Sequence, residues 1–212
     1  MISPEKLAIA LTEAGVYVMG ADDGEITTDG WDRIITIYAS MFHDGVGMIE
    51  FGRSGALPAV IAVTKAMSEM GGYFCPPYFP TWFHETWMNE IAMMTGRLLM
   101  ANDLTHHEYA GRKTQNLKDV GYWAKLFDET RHIREEISVS ISQRIEPPYR
   151  LYQLVQMLPQ LRGFFEHRNS PLRDPARAEQ IEQHFGLNDA DDERHARLKI
   201  KARELLKTEK AA

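Results

Sequence analysis

The segment HDGVGMIEFGRSGALPAVIAVTKAMSEMGG, residues 43–72, separates an all-α chain from a mixed one. Four glycines between Asp44 and Gly55 suit a loop or one short hairpin. Pro58 can occupy the first turn of a helix, where its missing N–H costs nothing. From there the sequence reads as a helix to about Met70, closed by Gly71-Gly72. On this reading the fold class is all-α, a compact multi-helix domain with a single β-hairpin near residues 45–55.

Outward from this segment, helix signals dominate. Ser3-Pro4 reads as an N-cap followed by first-turn proline, opening a helix over about 4–17. Trp31, Ile34, Ile35, Tyr38 and Phe42 recur at helical spacing and form one apolar stripe. Tyr73–Pro80 contains three prolines and reads as an ordered, extended connector. Thr81 caps a predicted helix to about Ala101, Thr105 caps another, and a further helix covers roughly Leu117–Ser142. Pro147-Pro148 and Ser170-Pro171 break the chain around a helix over 149–167, and Asp174-Pro175 starts one that closes at Gly186. The last helix, about 189–208, is polar on most sides and is expected to project. The chain therefore divides into a helical core domain, 1–187, and a charged C-terminal helix or arm, 188–212.

The 212 residues are 44% apolar and 25% charged, an ordinary globular mix. Apolar stretches such as Leu57–Thr64 and Ile91–Thr95 are far shorter than the ~20 residues of a bilayer span, and MISPEKLAIAL lacks the pattern of a secretory signal. A lone cysteine, Cys75, excludes an internal disulfide and fits a reducing cytosol. Net charge is −6, unevenly spread: residues 1–100 hold twelve acids and five bases, residues 101–212 eighteen acids and nineteen bases. The tail Arg194–Lys210 carries seven bases against two acids, which reads as a solvated helix face or a local nucleic-acid contact.

The sharpest metal-like pattern is Glu129-x-x-His132, echoed by Asp192-x-x-His195, since an i, i+3 pair can point both ligands to one side of a helix. Single carboxylates would have to come from residues such as Glu85, Glu90 and Glu108. Both pairs lie in strongly charged runs, however, and read as exposed faces. On a helix, His106 and His107 diverge and could not share a metal. Ser3-x-x-Lys6 reads as a cap, and Gly45-x-Gly47 fits no phosphate loop. Cys75 has no adjacent histidine and reads as a small hydrophobe. No catalytic residue, cofactor or metal is expected. The expectation is a non-enzymatic protein whose work is contact.

One ordered set of short matches resembles the coat proteins of flexuous filamentous plus-strand RNA viruses, the potyvirus-like group. Asn116-Leu117-Lys118-Asp119 followed by Phe127-Asp128 resembles that family's Asn-Leu-x-Asp stretch and Phe-Asp core motif. Pro80-Thr81 stands where the family has a Pro-Thr-opened helix, and Phe185-Gly186-Leu187 and Glu193-Arg194-His195 resemble stretches near its C-terminus. The resemblance implies a mostly helical capsid protein that binds single-stranded RNA and self-assembles with copies of itself into a filament, in a virion or host cytoplasm. His84 would stand nearest the family's RNA-contacting arginine and Asp128 for its aspartate. Arg112 and Lys113 would be the phosphate partners. The alternative is a helical adaptor of phage or bacterial origin, of replication or loading type, cytoplasmic and acting on an unidentified protein partner.

Overall fold

A computed structural model describes residues 15–20, 24–54, 57–80, 83–108, 119–145 and 192–209. Within them the chain runs β1 (Val16–Met19), β2 (Gly24–Ile26), α1 (Trp31–Ser40), β3 (Met48–Ser54), β4 (Leu57–Thr64), α2 (Lys65–Met70), α3 (His84–Thr95), β5 (Leu98–Met100), β6 (His106–Glu108), α4 (Val120–Glu129), α5 (Arg131–Arg144) and α6 (Asp192–Glu209). Four strands form one sheet in the order β1-β4-β3-β5, and β2 pairs with β6 in a second. The fold is mixed α/β, which corrects the expected all-α class.

The correction lies in residues 43–72. Val60, Ile61, Val63 and Thr64 are β-branched, and the run is apolar on both sides because both faces of β4 are covered. Pro58 sits near the hairpin end of β4, opposite Arg53 of β3 and beyond the residues that pair with β1, Ile61–Thr64, so it interrupts the sheet only at its margin. β3 and β4 make a long antiparallel hairpin in which Met48 faces Val63 and Phe51 faces Val60. Only Lys65–Met70 keeps the helix, capped by the Thr64 hydroxyl accepting from the Met67 N–H. Gly72, at φ +80°, follows its end.

Alternation along the strands builds two cores. Ile49, Phe51, Val60, Ala62 and Leu99 meet Ile35 of α1 and Phe42 on one face. Met48, Ile61, Val63 and Leu98 meet Trp87, Met88 and Ile91 of α3 on the other, beneath Trp123, Leu126 and Phe127 of α4 and Ile141 of α5. Helices thus cover both faces of the sheet. The amphipathic stripe read from Trp31 to Phe42 is α1 as expected. Arg97, 1% exposed, forks onto Asp44 with Nη2–Oδ2 at 2.6 Å and Nη1–Oδ1 at 3.2 Å, tying the turn into β5 to the loop after α1.

Other expectations are corrected too. Val16–Met19 is a strand, not the end of a helix; residues 4–14 lie outside the described residues. The helix expected to reach Ala101 stops at Thr95, where Gly96 takes the left-handed conformation at φ +67° and turns the chain into β5. Thr105 precedes a strand, not a helix. The long helix over 117–142 is broken at Thr130, whose hydroxyl bonds back to the Leu126 and Phe127 carbonyls. The helices expected over 149–167 and after Pro175, and the division between 187 and 188, lie outside the described residues.

The C-terminal helix, expected to project, packs against the body. Ala202 and Leu206 are 2% and 8% exposed and join the core under α4. Lys199 bonds Asp119, and Arg203 bonds Glu129 Oε2 at 2.6 Å and the Tyr122 hydroxyl at 3.2 Å.

Candidate functional site

The residues carried over from the coat-protein resemblance fall in different surroundings. His84 opens α3 half-buried, its Nε2 3.0 Å from the Phe79 carbonyl oxygen. Burial holds its pKa below the usual imidazole value, outweighing the opposing pull of the Phe79 and Pro76 carbonyls. Asp128 is exposed near the end of α4, close enough for its charge to favour the cationic form of Arg134. The two are linked through their neighbours: the Phe83 and Phe127 rings stack with centroids 5.3 Å apart. Arg112 and Lys113 lie outside the described residues.

The metal-like spacing resolves into ordinary structural contacts. Glu129 and His132 straddle the α4–α5 junction; Glu129 accepts from Arg203, and His132 Nδ1 sits 3.0 Å from the Glu129 carbonyl oxygen. Glu90 accepts from Arg134 Nε at 2.6 Å. Asp192 and His195 lie on α6, with their side chains outside the description, as is that of Glu108. Among the described residues no three His, Cys, Asp or Glu side chains converge on a metal position. Cys75 reaches solvent as a residue, yet desolvation of its sulfur and then the Glu85 carboxylate push the thiol up to about 11.

One concavity among the described residues lies elsewhere. A cleft of about 430 Å³ opens between the small β2–β6 sheet and the β1 edge of the large one. Ile26 and His106 supply one wall, Val18 and Val60 the other, and Trp31, the first residue of α1, stands at its end. Gly20 and Gly24 belong to the same lining. Gly24 is required: a Cβ there would lie 2.1 Å from His106 Nε2, so its absence lets the imidazole rest over the strand. Threonines extend the β2–β6 pairing at the edge of the first wall. Thr27 and Thr105 share a 2.8 Å hydroxyl contact, and the Thr105 N–H donates to Thr28 Oγ1 at 2.8 Å. Among the described residues, neither the Trp31 indole nor the His106 ring makes a hydrogen bond.

Neither residue was legible as a site. Trp31 reads as the head of a core stripe, and His106 reads as a helix-terminal or interface histidine on a helix, where its side chain would point differently. Compared with protein families, curated proteins and solved structures, the chain matches none.

Proposed function

We propose that the protein works by contact, as a non-enzymatic adaptor that docks another protein on the outer face of α1. The observation carrying this reading is the pair Ile37 and Met41, 51% and 46% exposed and one helical turn apart. Their helix buries Ile35 on the sheet, so it is apolar on its outer side as well as its inner one. An apolar helix face of this kind suits a partner with a complementary apolar groove or helix.

Site-specific photo-crosslinking from position 37, with exposed position 132 as reference, tests it. A defined adduct at 37 that disappears in Ile37→Lys/Met41→Lys, with the unfolding midpoint unchanged, is the expected result. Equal crosslinking from both positions would sink the reading.

The second reading is the RNA-binding, self-assembling one, favoured by the outer face of α6, where Arg197, Lys201 and Lys207 are exposed around a 59% exposed Ile200. Against it, the central sheet departs from the mostly helical fold that the family resemblance implies. Size-exclusion chromatography with light scattering and the 260/280 nm absorbance ratio, on protein purified without nuclease, separates the two. Large salt-sensitive particles carrying RNA favour assembly, whereas a small nucleic-acid-free species favours the adaptor.

A further inference from the structure

We infer that the cleft between the two sheets is a binding site for a flat, uncharged heteroaromatic ring such as a nucleobase, gripped by Trp31 and His106. The inference stands apart from the α1 docking face, since it rests on different side chains.

The shape comes first. About 430 Å³ falls within the range of small-molecule sites, and the lining from Val18, Ile26 and Val60 is aliphatic. Glycine at 24 lets the His106 ring lie close against β2, which sets the imidazole in the wall of the cleft. The chemistry comes second. Trp31, partly buried against the second core, is the aromatic group at the cleft with which a planar base could stack. Its indole N–H is a donor, and the His106 imidazole is a donor on one nitrogen and an acceptor on the other. With no hydrogen bonds of their own among the described residues, these groups can read a ring edge that carries both acceptors and donors. A plain aryl ring would leave them unmatched at the cost of their desolvation.

The charge balance comes third. Among the described residues no lysine or arginine lines the cleft, so a free phosphate or carboxylate would find no cation there to replace its water. A neutral ring fits that balance.

Fixed geometry comes last. The Thr27–Thr105 and Thr28–Thr105 bonds join the β2–β6 sheet to the start of α1, so the two gripping residues are held relative to each other before any ligand arrives.

The test follows the Trp31 and His106 ring signals by NMR in the full-length chain while adenosine is added. A single-stranded oligoadenylate serves as a second probe. Saturable shifts at both rings with adenosine are expected, and Trp31→Ala or His106→Ala should weaken binding about tenfold, the scale of one lost base stack. The indole signals of buried Trp87 and Trp123 report that each variant still folds, and His106→Gln serves if the alanine variant does not. Shifts at the same rings with the oligonucleotide alone would keep the chemistry and assign the base to a nucleic-acid strand. No shift with either probe up to about 1 mM, the weak end of specific affinities, overturns the site. Binding that ignores both substitutions in folded protein overturns it equally.

Discussion

Arg134 donates its Nε–H to Glu90 Oε2 at 2.6 Å, tying α5 to α3 inside the core. The guanidinium carbon lies 3.8 Å from the Phe127 ring centroid and 4.7 Å from that of Trp87, so the cation is sandwiched between helices and aromatic faces. At 1% exposure Arg134 has lost its water, and burial lowers its pKa against the pull of Glu90. The pair's net worth is therefore small, but the cost of halving it is large. Arg134→Ala should lower the unfolding free energy by about 3–5 kcal/mol, because Glu90 is left buried and uncompensated. Arg134→Leu/Glu90→Leu should recover much of that loss. Urea denaturation of the singles and the double decides it, and simple additivity of the two losses would contradict the argument.

The seating of α6 rests on a different balance. Leu206 and Ala202 anchor it, while Lys199–Asp119 and Arg203–Glu129 are about a third to half exposed. Exposed pairs are screened by salt, and the apolar anchors are not. Raising ionic strength from about 0.01 M to about 1 M, which shortens the Debye length from ~30 Å to ~3 Å, should speed amide exchange in α6 several-fold. Exchange in β3 and β4 should not change. Leu206→Ala should loosen α6 at every salt concentration, and exchange in α6 indifferent to salt would remove the electrostatic share of this account.

How much of this was readable in advance follows from where each element draws its stability. The amphipathic helix from Trp31 was legible because its periodicity is local. Residues 57–64 were not: a short apolar run looks the same for a buried strand and a buried helix, and Pro58 tipped the reading the wrong way. The decisive facts are non-local, namely Ile61–Thr64 pairing with β1 and Met48–Phe51 with β4. Gly96 did carry a stop signal before β5, and the methionine run around it hid that signal. Misplacing His106 on a helix had the largest consequence, since the β2–β6 pairing is what sets its ring over Gly24 in the cleft wall that Trp31 also lines. His84 and Asp128 came only from the coat-protein resemblance, and His84's burial and carbonyl contact depend on the fold around the Tyr73–Pro80 connector.

Cys75 offers a direct chemical readout of its corner. With the thiol pushed up to about 11, first by desolvation and then by Glu85, roughly one molecule in a thousand is thiolate at pH 8. Alkylation by iodoacetamide at that pH should be about two orders of magnitude slower than for an unperturbed cysteine. Glu85→Gln removes the charge and should speed the reaction, with a smaller effect than full unfolding because desolvation is the larger cause. Rapid labelling of the native protein would show that the sulfur is open to water.

His84 sets a pH dependence whose sign is fixed by its burial. Its folded pKa lies below its ordinary 6.5, so the unfolded chain binds the proton more readily. Stability from this group is fully present above about 6.5 and falls as pH drops below it, continuing until the folded pKa is passed. Glu85 acts in the opposite sense: its folded pKa is raised above 4.5 by burial, so its contribution is greatest below that value and declines as pH rises through the folded pKa. Between pH 7 and 5.5 the histidine should govern this corner. His84→Gln, which keeps a donor for the Phe79 carbonyl, should flatten the fall of the unfolding midpoint across that interval relative to the unaltered chain. Glu85→Gln should leave that slope steep, since the histidine is intact. Equal slopes in His84→Gln and the unaltered chain would place the acid sensitivity elsewhere in the fold.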